Sequence, residues 1–167
     1  LLATTLPNWL TLENNILSGT PTNNNVGEHN VVIKASDNNG EEVTQSFTIT
    51  VVNVNDSPTF TSTPITTANQ DIEYVYTITT NDVDGDNVTL SATTLPSWLT
   101  LENNILSGTP TNDNVGVYNV VIKAIDENNG EATQSFSITV VNINDLPTFT
   151  STPITTVTQD IEYTYTI

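Results

Sequence analysis

The chain has no cysteine and no arginine. Its only cationic side chains are Lys34 and Lys123, against 19 Asp and Glu, and the formal charge is −17. Without cysteine, disulfides and thiolate metal sites are excluded. Without a basic surface, nucleic acid is not an expected partner, because phosphate binding needs Lys and Arg. An anionic membrane surface is disfavoured for the same reason, and direct insertion is not expected because no apolar run approaches the ~20 residues of a span. Aromatic residues are scarce at 7%. Thr, Asn, Ser, Val and Ile dominate instead, the composition of a thin β protein with polar outer faces. Regular Val/Ile/Tyr alternation argues against disorder despite the charge. There is one histidine, His29. No Ser or Thr nucleophile shows a histidine partner, and no carboxylate lies in an apolar stretch that would raise its pKa, so an enzyme is not expected.

What is present is repetition. "TLPNWLTLENNILSGTPTN" at 5–23 recurs as "TLPSWLTLENNILSGTPTN" at 94–112, and Trp9 maps to Trp98, a period of 89 residues. "VVNVNDSPTFTSTPITT" recurs as "VVNINDLPTFTSTPITT", and "QDIEYVYTI" as "QDIEYTYTI". His29 corresponds to Tyr118, an exchange a general base would not tolerate. The register slips once, at "DNNGEEV" against "DENNGEA". Polar runs ending in Pro58 and Pro147 read as linkers, so residues 1–56 are expected to be the back of one unit. Residues 57–145 are then a complete unit and 146–167 the front of a third. The chain opens on "LLATTLPNW" without an initiator Met and is expected to be an internal stretch of something longer.

Inside the complete unit, "TFTSTPI" (59–65) is expected to be an edge strand, which tolerates Pro64. Alternation predicts inward faces at Ile72, Tyr74, Tyr76 and Ile78, and at Val88, Leu90 and Ala92. It does the same for Tyr118, Val120, Ile122 and Ala124, and for Phe136, Ile138 and Val140. "ILSGTP" is a short strand ending at Gly108, and the flanking Pro and Leu make Trp98 a core plug. About seven antiparallel-compatible strands with no helical period predict an all-β fold, a tandem array of Greek-key β-sandwiches.

One loop stands apart. "NDVDGDN" (81–87) puts Asp82, Asp84 and Asp86 within five positions. Two readings fit: a solvated Gly-containing turn, or an oxygen-rich cation site. An EF-hand does not fit. With Asp82 as position one, the Gly and Glu positions are occupied by Asn87 and Thr93.

Taken together, "LPSWLTLE", "LSGTPTNDNVGVYNVVIKAID", "SFSITVVNINDLP" and "TTNDVDGDNVTLSA" resemble cadherin-like repeats of the dystroglycan type, also described as immunoglobulin-like domains of large bacterial surface proteins. The resemblance covers the whole chain. It implies an extracellular, cell-surface β-sandwich joined end to end with its neighbours, with Ca²⁺ at the junctions. The linker ligands it implies are Asn53, Asn55 and Asp56, and again Asn142, Asn144 and Asp145. The Asp-x-Asp pair it implies is Asp82 and Asp84, and the later Asp is Asp126, with Asp37 as the counterpart one unit earlier. The family's early-strand Glu is not matched, Asp71 and Glu73 lying nearest. The expected function is a structural segment of an adhesin stalk or surface filament, stiffened by calcium. The alternative is a carbohydrate-binding module, which an exposed Trp98 would favour. Adjacent repeats are the expected partners, together with head-to-tail copies completed by strand addition of the tail.

Overall fold

The computed structural model describes residues 1–167. The chain begins with β1 (Leu2–Thr5), β2 (Leu10–Glu13), β3 (Ile16–Gly19), β4 (Gly27–Ser36) and β5 (Glu42–Val51). It continues with β6 (Thr59–Phe60), β7 (Thr67–Asn69), β8 (Tyr74–Thr77), β9 (Thr80–Asn81), β10 (Thr89–Thr94), β11 (Thr100–Glu102), β12 (Ile105–Gly108), β13 (Gly116–Ile125) and β14 (Glu131–Val141). The only helical pieces are single 3-10 turns at Asn23–Asn25 and Asn112–Asn114.

β13 and β14 form the long central hairpin, with one pleated face apolar at Tyr118, Val120, Ile122 and Ala124 on β13, and at Phe136, Ile138 and Val140 on β14. β10 pairs with β13 on one side. β7 pairs parallel with β14 on the other, giving the order β10-β13-β14-β7. A second sheet, β11-β12-β8, faces it, with the small β6-β9 pair beside it. The fold is a β-sandwich, as expected. The inner faces bury Tyr74, Tyr76 and Ile78 against Leu99, Leu106, Val120, Ile122, Ile138 and Val140. Burial and the neighbouring Tyr76 push the Tyr74 phenol well above its ordinary pKa, so it stays neutral and donates to the Ile65 carbonyl at 2.8 Å.

Several expectations needed adjustment. Residues 59–81 hold four short strands, and residues 59–141 hold nine in all, because Pro64 and the turn at Asp71 interrupt the ladder. Asp71 is left-handed at φ 59°. That breaks the alternation, so Ile72 is half-exposed while Tyr74, Tyr76 and Ile78 are buried. Leu90 packs on the core, but Ala92 is exposed where a bulge shifts the register between Ala92 and Thr94. The same bulge occurs between Ala3 and Thr5.

The first 51 residues repeat this plan without its front strands. β1-β4-β5 forms one sheet and β2-β3 the other, and only Leu10 and Val31 are buried. β3 and β5, the counterparts of β12 and β14, carry no strand equivalent to β8 or β7. Residues 146–167 form no ladder, yet they keep the local shape of 57–78. Ser151 Oγ meets Tyr165 OH at 2.6 Å, as Ser62 Oγ meets Tyr76 OH at 2.7 Å. Tyr163 OH donates to the Ile154 carbonyl at 2.9 Å, as Tyr74 does to Ile65. Asp160 repeats the left-handed turn of Asp71 at φ 65°.

Candidate metal centre

The loop after β9 turns at Gly85, whose φ of 82° suits a residue without a side chain. Asp82 Oδ1 accepts from the Asp84 N–H at 2.9 Å and more weakly from the Asp86 N–H at 3.4 Å. This Asx-type turn brings one carboxylate oxygen each from Asp82, Asp84 and Asp86 within 4.8 Å of one another. Asp82 Oδ2 and Asp84 Oδ1 are buried and have no hydrogen-bond donor. Three carboxylates at that spacing repel in a partly desolvated site. Both lysines are engaged elsewhere: Lys34 pairs with Glu42 at 2.5 Å and Lys123 with Glu131 at 2.6 Å. Neither lysine neutralises the loop. The donor set is all hard oxygen, which fits Ca²⁺ and not a soft metal.

The incoming linker is tied to this loop. The Asp56 N–H donates to Asp84 Oδ2 at 2.7 Å. Asn23, from the 3-10 turn of the first unit, donates to the Val83 carbonyl at 2.9 Å. Asn55 Nδ2 donates to Asp126 Oδ2 at 3.0 Å. Asp126 Oδ1 accepts from the N–H groups of Asn128 at 2.8 Å and Gly130 at 2.7 Å. The Asn55 amide contributes most to holding the Asp126 carboxyl below the usual carboxylate range. Burial opposes it, and the Gly130 and Asn128 N–H groups reinforce it. Asn128 then bridges to the loop, donating to Asp86 Oδ2 at 2.6 Å, and Asn87 donates to Glu127 at 2.8 Å.

The structure therefore brings Asp82 and Asp84 together with Asp86, which the resemblance did not include. It docks Asp56 against Asp84 and Asn55 against Asp126. Asp126 sits beside this group with both oxygens satisfied by protein donors. Asn53 is exposed. Asp37 forms the same turn with the Asn39 and Glu41 N–H groups, both at 2.9 Å, but is exposed with no linker against it.

The second linker looks different. Asn142 and Asn144 are exposed, and Asn144 reaches only the Asp145 carbonyl at 3.4 Å. Asp145 Oδ2 accepts from Gln70 Nε2 at 3.1 Å. Gln70 is buried, and strand alternation does not mark it as a contact of the linker. Its one trace in the sequence is recurrence, since "QDIEY" occurs at both 70–74 and 159–163.

Trp98 is packed edge-on between Tyr74 and Tyr118, both at 6.1 Å, and its Nε1 is buried without a partner. Trp98 is partly buried and packs against the core cluster, the arrangement of a core plug. His29 takes the place of Tyr118 in the first unit, edge-on to Trp9 at 5.7 Å and with Nε2 2.6 Å from the Asn25 carbonyl oxygen.

Two copies of one β-sandwich plan joined by a short linker define a class, the immunoglobulin-like tandem repeats. The chain belongs to the family described as "Putative Ig domain", which it matches over residues 2–52 and again over 57–141. It is 34% identical over 144 residues to the "Serine-rich adhesin for platelets" of Staphylococcus aureus strain MRSA252, covering 82% of this chain and 10% of that protein. The MSSA476 strain's adhesin matches at the same identity over 6% of its length. The chain thus spans a small fraction of the relatives it resembles. In fold it is similar to extracellular cadherin domains 3-6 of Protocadherin Gamma B2, with TM-score 0.62 and 17% identity over 81% of this chain and 37% of that one. Domains EC1-2 of human mucin-like protocadherin align with TM-score 0.55 and 15% identity, over 83% and 81%.

Proposed function

We propose that this chain is a structural segment of an extracellular surface adhesin, a stalk of dystroglycan-type cadherin-like units at residues 1–56, 57–145 and 146–167, and that it is not an enzyme. Calcium at the junctions stiffens it. The observation that carries the reading is the pair of buried carboxylate oxygens without donors, Asp82 Oδ2 and Asp84 Oδ1, at the point where the linker docks. Asp82, Asp84 and Asp86 would hold the ion, with Asn55, Asp56 and Asp126 around it. Asn53, Asn142, Asn144 and Asp145 are the corresponding linker positions. When bound, the ion supplies the missing positive charge. The protein supplies the rest: Asp56 is held by its N–H, Asn55 by its amide, and Asn128 links the two loops.

The partners in this reading are neighbouring repeats. In the 167-residue polypeptide they include a second copy, whose residues 146–167 fit the free edges of β3 and β5 as residues 57–78 fit those of β12 and β14. The packed Trp98 disfavours the carbohydrate-binding alternative.

Calorimetric titration with calcium, and melting with calcium or chelator, test the reading. The wild type gains roughly 2.7 kcal/mol at a calcium concentration a hundredfold above Kd. Asp84→Ala loses most of that gain. A melt that does not respond to chelator overturns the calcium assignment.

A further inference from the structure

The joint described above is seen from its downstream side. Its upstream side is visible at the other linker, and there the chemistry differs. β7 runs parallel to β14, with Asn69 opposite Val141. The residue after β7 therefore lies beside the residues after β14, which are the outgoing linker. That residue is Gln70, 1% exposed. Its N–H donates to the Val141 carbonyl at 3.0 Å, which fixes its place at the sheet end. Its side-chain Oε1 accepts from the Ile143 N–H at 3.3 Å. Its Nε2 donates to Asp71 Oδ2 at 3.0 Å and to Asp145 Oδ2 at 3.1 Å.

These bonds set the amide's orientation. Ile143 offers a donor, so Oε1 must face it. Turning the amide over would set two N–H donors against each other and Oε1 against two carboxylates. The group aimed at Asp71 and Asp145 is therefore an NH₂, which donates to anions and cannot ligate a cation. It supplies between these two acids the positive density that a metal would otherwise supply.

We propose that Gln70 is a positioning residue that locks the outgoing linker to its own unit without a cation. Asp145 corresponds to Asp56, whose main-chain N–H is bound by Asp84 of the following unit. Joining the two views, the linker acid is gripped through its side chain by the upstream unit and through its backbone by the downstream unit. Only the downstream grip sits among uncompensated carboxylates. Loss of cations therefore loosens the array between the linker and the following unit, and the linker stays fixed to the preceding one. This deepens the proposed function and rests on it only for the cationic nature of the downstream half.

The test is amide hydrogen exchange of Ile143 in the full chain, with calcium and with chelator, for the wild type, Gln70→Ala and Gln70→Glu. Wild-type protection of Ile143 stays the same in both conditions. Gln70→Ala raises its exchange about tenfold in both, from loss of the acceptor and of the bonds that order the linker. Gln70→Glu keeps an acceptor but adds a third carboxylate beside Asp71 and Asp145. It raises exchange in chelator although the β13–β14 amides remain protected. Wild-type protection that collapses in chelator overturns the proposal, as does a Gln70→Glu chain that exchanges like wild type. The calcium response of Asp84→Ala is a separate readout, so failure of the calcium site leaves this result intact.

Discussion

Gly130 lies against Asn55, with no room between them for a methyl group. A Cβ on Gly130 would fall on Asp126 Oδ2 and come within 2.8 Å of Asn55 Nδ2 and 3.0 Å of Ser57 Cα. In the first unit the same hydrogen-bonding position is Glu41, whose N–H caps Asp37 as that of Gly130 caps Asp126. The one-residue slip between "DNNGEEV" and "DENNGEA" thus moves a glycine to the place where the linker crosses.

Gly130→Ala is expected to release the junction. The neighbours on that side include the Ser57 backbone and the Asn55–Asp126 bond, so overpacking costs about 1–3 kcal/mol. The change appears as faster exchange or greater mobility at residues 53–57, while the core around Ile122 and Ile138 stays protected. Glu41→Gly, at the equivalent position, leaves the junction unchanged. Nuclear magnetic resonance relaxation of the linker amides checks both.

Asp84→Asn separates charge from shape. Asparagine keeps an oxygen for the Asp56 N–H and removes one of three converging carboxylates. In chelator the variant is expected to melt above wild type, because repulsion is relieved. In saturating calcium the order reverses, because a ligand is lost. Paired melting curves read the crossing. Wild type melting above the variant in chelator would show that repulsion is not the governing effect in the loop.

Much of this was legible beforehand. Alternation placed Val120, Ile122, Ile138 and Val140 in the core, because burial on one pleated face leaves a period of two in the sequence. The 89-residue period is equally plain, as is the close spacing of Asp82 and Asp84. Ile72 and Ala92 were misplaced because a left-handed residue and a bulge each interrupt the period without leaving a pattern of their own. The link to Asp86 is not legible, because a loop residue's direction depends on the turn and Asn128 reaches it from a loop 42 residues away. The contacts of Gln70 are not legible, because they depend on a parallel pairing between segments far apart in sequence, and a lone Gln carries no signature of what it will face.

Gly108 tests the core plug. A Cβ there would strike the Trp98 carbonyl, and Gly19 stands in the same relation to Trp9. Because the obstacle is backbone, neither site can yield by a rotamer change. Gly108→Ala is expected to lower the main transition by about 1–3 kcal/mol or more. Gly19→Ala affects only the first unit, whose buried set is Leu10 and Val31, and leaves the main transition nearly in place. Differential scanning calorimetry of the two variants separates them.

The tail offers the last test. Phe149 is 85% exposed and Tyr163 50%, whereas their counterparts Phe60 and Tyr74 are packed or buried in the complete sandwich. The edges of β3 and β5 lack the strands that β8 and β7 supply to β12 and β14. Strand addition between copies would satisfy both defects, through the pairings already seen within residues 57–145. The 167-residue polypeptide is therefore expected to associate head to tail, with a size that grows with concentration in sedimentation velocity. Tyr165→Asp puts a charge where the counterpart Tyr76 is 3% exposed. It should return the chain to a monomer without moving the melt of the complete unit. A wild-type chain that stays monomeric at millimolar concentration would rule the association out, and a Tyr165→Asp chain that still associates would place the contact elsewhere.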